Sequence, residues 1–173
     1  MASLRRLASA RAPPTRHSWF NPEFRRADRH PKSHTFREGV PFMQSVLIID
    51  DDEDIRELMT WRLHSAGYGT IGASDGAAGL TAVFDAAAAG APPDLILVDW
   101  MMPKLTGIEV CQALRGNPRT AGIPIILVTA NAHEAEVERG LAAGVDDYIL
   151  KPFSPRELLL RVNAVLARTA AVA

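Results

Sequence analysis

The stretch Val46-Leu47-Ile48-Ile49-Asp50-Asp51-Asp52-Glu53-Asp54-Ile55 joins four apolar residues to five consecutive acids. The first part reads as a buried strand, and the second is a run of like charges whose members repel one another and lose hydration if drawn inward. Something must offset that cost: water, a helix N-terminus or a cation. Asp52, Glu53 and Asp54 fit the first turn of a following helix, where the helix dipole favours acids. Asp50 and Asp51 sit at the strand end itself.

Working outward, short apolar runs recur at 45–50, 69–74, 94–99, 123–129 and 147–151. Helix-period segments separate them. In the first, Ile55, Leu58, Met59 and Leu63 share a face and Gly67 stops it; the second, over about 75–89, carries Leu80, Val83, Phe84 and Ala87. The third opens with Thr106 and Glu109 at capping-box spacing, and Ile108, Cys111 and Leu114 follow one face. The fourth, about 132–143, uses Val137 and Leu141 and ends at Gly144. The fifth opens with Ser154 as N-cap, Pro155 in the first turn and Glu157 closing a box; Leu158, Val162, Val165 and Leu166 line its inner face. Strands that read as continuous apolar runs are buried on both faces, as parallel sheets are. Five strand–helix units with right-handed crossovers predict an α/β fold: a doubly wound five-stranded parallel sheet with helices on both faces.

Composition sets the frame. Of 173 residues, 47% are apolar and 23% charged, a globular balance; the single cysteine, Cys111, excludes an internal disulfide framework and fits a reducing compartment. No apolar run approaches the roughly 20 residues of a membrane-spanning helix, so a cytoplasmic protein without a membrane partner is expected. The net charge of −1 divides unevenly: residues 1–42 hold nine Arg and Lys against three Asp and Glu, and residues 43–173 hold ten against seventeen. The basic segment 1–42, with five prolines and no sustained apolar period, reads as a disordered or loosely attached extension of a domain spanning 43–170. It fits a targeting peptide, a basic arm for an acidic partner, or sequence upstream of a start at Met43; the last is preferred.

Ligands of open parallel sheets bind outside the carboxyl ends of the strands. Strand one delivers Asp50 and Asp51 there, strand three Asp99, strand four Thr129 and strand five Lys151. Each is ordinary alone. Together, three carboxylates, a hydroxyl and an ammonium suit a hard divalent cation and a phosphoryl group.

Four segments, 46–55, Leu95–Val110 ("LILVDWMMPKLTGIEV"), Ile123–Ala130 ("IPIILVTA") and Gly144–Leu158 ("GVDDYILKPFSPREL"), in this order and at these intervals, resemble the receiver domain of two-component response regulators. The resemblance covers about residues 44–168. It implies the flavodoxin-like strand order 2-1-3-4-5, one of the doubly wound arrangements. It also implies roles. Asp99 is the phosphoacceptor, taking a phosphoryl group from a sensor histidine kinase or phosphotransfer protein. Asp51, Asp99 and the Met101 backbone carbonyl ligate Mg²⁺ or Mn²⁺, and Asp50 holds a metal-bound water. Lys151 pairs with the phosphoryl group, and the Lys151–Pro152 bond is cis. Thr129 and Tyr148 form the switch that alters a surface of helix four, strand five and helix five for a downstream protein target. Met101 and Asn131 tune hydrolysis, with slow autodephosphorylation expected.

The closing segment is most similar to receivers that precede winged-helix DNA-binding domains. Asp146, Asp147, Glu157, Arg161 and Arg168 fit the ion-pair pattern of a phosphorylation-dependent homodimer in that class, although Val137 stands where a basic partner for Glu157 belongs. The chain stops directly after helix five. That leaves a stand-alone signalling module, or the receiver part of a transcriptional regulator whose output domain is absent. Direct nucleic-acid binding by residues 43–173 is not expected, because that body is acidic. An aspartyl-phosphate phosphatase is disfavoured: its family places a second Asp two residues after the nucleophile, and Met101 stands there. The protein is therefore expected to catalyse only its own phosphorylation and dephosphorylation.

Overall fold

The computed structural model describes residues 44–130 and 134–171. Met43, Asn131 and the basic segment 1–42 lie outside the described residues, as do the side chains of residues 134–137, Val137 among them. Five strands alternate with five helices: β1 (Ser45–Ile49), α1 (Glu53–Ser65), β2 (Gly69–Ala73), α2 (Gly76–Ala88), β3 (Leu95–Asp99), α3 (Gly107–Arg115), β4 (Ile125–Thr129), α4 (Glu134–Ala142), β5 (Asp147–Leu150) and α5 (Pro155–Ala170). All four strand pairings are parallel and the order is β2-β1-β3-β4-β5. The α/β class and the 2-1-3-4-5 order expected from the sequence are both present.

Alternating side chains of the central strands divide the core in two. Leu47, Ile49, Ile96, Val98, Ile125 and Leu127 face Val83 of α2, Val110, Cys111 and Leu114 of α3, and Ala143 beyond α4. Val46, Ile48, Leu95, Leu97, Ile126 and Val128 face Met59 and Leu63 of α1 and Leu158, Val162, Val165 and Leu166 of α5. Both faces of the middle strands are thus covered, which is why they read as unbroken apolar runs. Edge strand β2 departs from that expectation, because it pairs on one side alone and leaves Ile71 exposed.

Local chemistry starts and stops the helices. Asp52 caps α1, its side chain accepting from the Asp54 and Ile55 N–H groups at 2.9 and 3.2 Å. Thr106 and Glu109 form the expected reciprocal capping box of α3. At α5, Ser154 accepts from the Glu157 N–H at 3.0 Å, while the Glu157 carboxylate lies 3.8 Å from Arg161, one turn along the helix. Two helical positions assigned inward by periodicity face outward: Leu58 is 39% exposed and Leu141 63%. The inward stripe of α1 is narrower than the sequence suggested, centred on Met59 and Leu63. Strand β4 begins at Ile125 rather than Ile123, since Pro124 has no N–H for the ladder and contributes its carbonyl alone, to Ile96.

Candidate functional site

At the carboxyl edge of the sheet, β1 and β3 lie side by side and bring Asp50 next to Asp99. Asp50 is 0% exposed, and each of its polar groups has a partner. Its N–H donates to the Ala73 carbonyl (3.2 Å), its carbonyl accepts from Arg56 Nη1 (2.7 Å), Oδ1 accepts from the Asp52 N–H (3.0 Å) and Oδ2 from Lys151 Nζ (2.8 Å). A buried carboxylate needs such satisfaction, because each missing partner would cost its full desolvation.

Asp99 ends β3 at 6% exposure. Its Oδ1 accepts from Lys151 Nζ at 2.6 Å and its Oδ2 from the Met101 N–H at 2.8 Å. The loop after it is pinned twice, by Trp100 N–H to the Val128 carbonyl (2.8 Å) and by Gly107 N–H to the Trp100 carbonyl (3.0 Å). Gly107 has to be glycine, since a Cβ there would overlap the Asp99 carbonyl oxygen. In the same loop Lys104 takes a left-handed conformation, φ 70°, at the turn between Pro103 and Leu105.

Lys151 therefore bridges two carboxylates from two different strands. It follows β5 directly; its N–H donates to the Thr129 carbonyl at 2.7 Å, and the bond to Pro152 is cis, as the resemblance implied. Burial raises Asp99 above the usual carboxylate range, and the hydrogen bond and charge of Lys151 only partly oppose it. For Lys151, burial acts downward, but the hydrogen bonds to Asp50 and Asp99 and the attraction of both carboxylates outweigh it, and the ammonium form is held above its ordinary range.

The other sequence-predicted residues fall as follows. Thr129 ends β4 and is buried. Asp51 is exposed at the same rim, next to Asp50. Met101 is 70% exposed, with its N–H turned to Asp99. Tyr148 is half-buried on β5, with the Arg161 guanidinium 5.4 Å from its ring centre. The five charged residues assigned to a dimer face are engaged within this chain. Asp147 meets Arg161 at 2.9 Å and Arg168 at 3.8 Å, and Arg161 meets Glu157 at 3.8 Å. Asp146 pairs with Arg115 of α3 at 2.9 Å and accepts the Ile125 N–H at 2.8 Å.

Among the described residues no three His, Cys, Asp or Glu side chains form a metal cage by themselves. The donor set has a different character: carboxylates at one rim, two of whose charges a single ammonium balances in part. Mg²⁺ suits that set, because it binds through one or two carboxylates and keeps several waters. Sequence reasoning missed two contributors, Arg56 and Gly107. The signals were present, an arginine one turn into a helix that opens on acids and a glycine at the first position of α3, but neither names its partner.

The model of the response regulator receiver domain matches residues 46–163, about two thirds of the chain. The chain belongs to this family. Receivers of this kind partner with histidine kinases and generally bind Mg²⁺. Among curated relatives, this receiver is 44% identical over 126 residues to the phosphate regulon transcriptional regulatory protein PhoB of Pseudomonas aeruginosa, covering 73% of this chain and 53% of that protein. It is 42% identical over 125 residues to the DNA-binding response regulator MtrA of Mycobacterium tuberculosis, covering 72% and 51%. The chain thus spans about half the length of these relatives. Among solved structures, the chemotaxis protein CheY4 of Vibrio cholerae superposes with a TM-score of 0.65 at 32% identity, over 71% of this chain and 98% of that one. A CheY-like receiver of Methanospirillum hungatei gives 0.68 at 28% identity, over 75% and 98%. No helix among the described residues is long and apolar enough to cross a membrane.

Proposed function

We propose that this receiver takes a phosphoryl group from a phosphohistidine onto Asp99, and that the adduct switches a surface built by α4, β5 and α5. The observation that carries this is Lys151 Nζ held between Asp50 and Asp99 at 2.8 and 2.6 Å, at the carboxyl edge of a receiver sheet. An Asp99 carboxylate oxygen attacks phosphorus; the O–P bond forms as the N–P bond breaks, and the departing imidazole keeps the electron pair and takes up a proton. Lys151 favours the anionic, nucleophilic form of Asp99 and then meets the negative phosphoryl oxygens. Asp51, Asp99 and the Met101 carbonyl would hold Mg²⁺ or Mn²⁺, with Asp50 acting through a water; the cation supplies charge stabilisation to those oxygens.

Thr129 stands at the neighbouring strand end and is read as the hydrogen-bond donor to the bound phosphoryl group. Its displacement leaves space for Tyr148, whose present position beside Arg161 couples it to the pairs that Arg161 makes with Asp147 of β5 and Glu157 of α5. Opening those pairs would release charged partners for a second copy, so Asp147, Glu157, Arg161 and Arg168 are read as the switchable part of a dimer face. Asp146 contributes by way of Arg115. Met101 and Asn131 control access of water to the adduct. The protein acts in the cytoplasm and turns over no substrate besides its own phosphoryl group.

A second reading has its own support: the relatives are DNA-binding regulators, so this receiver is also read as the regulatory part of such a protein. DNA contact then belongs to an output domain, not to the acidic residues 43–173. Incubation of the full chain with Mg²⁺ and acetyl phosphate tests the chemistry. The expected result is a mass gain of one phosphoryl group that Asp99→Asn abolishes. No gain in the parent protein, together with no binding of beryllofluoride, would overturn it.

A further inference from the structure

Asp51 is the exposed member of the acidic rim and lies between β1 and α1, outside the strand ladder. Its backbone is nevertheless held on both sides. The peptide before it is fixed where Arg56 Nη1 donates to the Asp50 carbonyl at 2.7 Å, and the peptide after it where the Asp52 N–H donates to Asp50 Oδ1 at 3.0 Å. The Asp50 carbonyl lies one residue beyond the end of β1, past the strand ladder. Without Arg56 that peptide plane could turn, and the direction of the Asp51 side chain would turn with it. Arg56 is itself well located: it is half-buried, its N–H donates to the Asp52 carbonyl at 3.0 Å, and its stem crosses Gly72 of β2, where a Cβ would stand 3.5 Å from its Cδ.

We infer that Arg56 is a positioning residue for cation binding, holding the Asp50–Asp51 peptide so that Asp51 faces the rim. The inference rests on the proposed Mg²⁺ reading of that rim. A guanidinium close to a cation site would by charge alone weaken cation binding, so the two roles of Arg56 have opposite signs. Removing a purely electrostatic arginine would tighten Mg²⁺ binding. Removing a positioning arginine loosens it, as loss of groups that orient metal ligands does by about tenfold or more.

The test is titration of the full chain with Mn²⁺, followed by electron paramagnetic resonance with Mg²⁺ competition, beside thermal melts in EDTA. Arg56→Met keeps the stem and loses both donor and charge; its Kd is expected to rise about tenfold. Arg56→Lys keeps the charge and is expected to fall between. Gly72→Val leaves Arg56 in place but crowds its stem, and is expected to weaken binding in the same direction; this variant decides the matter if Arg56→Met does not fold. Equal or tighter binding in Arg56→Met, or in Gly72→Val where that variant decides, overturns the inference. Failure of the underlying reading looks different: the parent protein would bind no Mn²⁺, or Asp51→Asn would bind it as well as the parent does.

Discussion

Gly107 packs its α-carbon against the carbonyl oxygen of Asp99, so that the first residue of α3 and the last of β3 share a space in which no side chain fits. The contact fixes the height of the Asp99 loop over the sheet. Gly107→Ala is expected to cost about 2 kcal/mol in urea denaturation, within the range of overpacked interiors. It is also expected to slow phosphorylation of Asp99 by acetyl phosphate. A variant of parental stability and rate would show that the loop has room to spare.

Lys151 is the ammonium shared by Asp50 and Asp99. Lys151→Met leaves Asp50 fully buried with an oxygen that has lost its ammonium, and breaking a buried pair from one side costs about 3 kcal/mol. The sign with pH follows from the direction of its shift. Its folded pKa is raised above the ordinary 10.5, so the stabilisation is complete below that value and is lost as pH rises through the folded one. Measured in EDTA, the stabilities of parent and variant should therefore differ fully at neutral pH and converge as the pH rises above 10.5. A constant difference across that window would count against the assignment.

Asp99 has the opposite character. Burial raises its pKa above the ordinary 3.8, so the fold binds this proton more tightly than the unfolded chain does. Its contribution is favourable in acid and declines as pH rises from 3.8 through the folded value, leaving a deficit at neutral pH. Asp99→Asn is expected to raise the metal-free Tm at pH 7 by about 2–5 °C. The gain should shrink in acid, and Mg²⁺ should stabilise the parent more than the variant. A lower Tm for Asp99→Asn in EDTA at pH 7 would reverse the argument.

Met101 lies exposed over the rim and offers no hydrogen bond from its side chain to an attacking water. Met101→Asn supplies one. Autodephosphorylation, followed by loss of the phosphoryl mass after donor removal, is expected to be faster in the variant by about tenfold, less than the roughly hundredfold or more of a true general base because an amide orients the water without taking its proton. A parent protein that loses its phosphoryl group faster than Met101→Asn would contradict the tuning role.

Much of this was legible in the sequence, for reasons that differ between elements. The apolar runs of β1, β3 and β4 marked buried parallel strands because both of their faces are covered. Thr106 and Glu109 announced the start of α3 because a capping box needs only four consecutive residues. Asp50, Asp51, Asp99, Thr129 and Lys151 could be assigned to one rim because a parallel sheet puts all its strand ends on the same edge. Local information was enough wherever the interaction itself was local. It misled at Leu58 and Leu141, where an apolar residue on a helix flank stays exposed.

By itself, then, the sequence determined the α/β class, the polar residues that the strand ends gather at one rim and the capping of α3 and α5, all consequences of period and spacing. Only the tertiary structure decided how Asp50 and Asp51 part company and which acid caps α1. Asp50 is drawn to full burial by Lys151, 101 residues away, and by Arg56 on the flank of α1. Asp52 turns to cap the helix, and Asp51 remains at the surface between them. That division depends on which groups arrive from other strands to replace lost water, and a buried charge is stable only where such partners arrive.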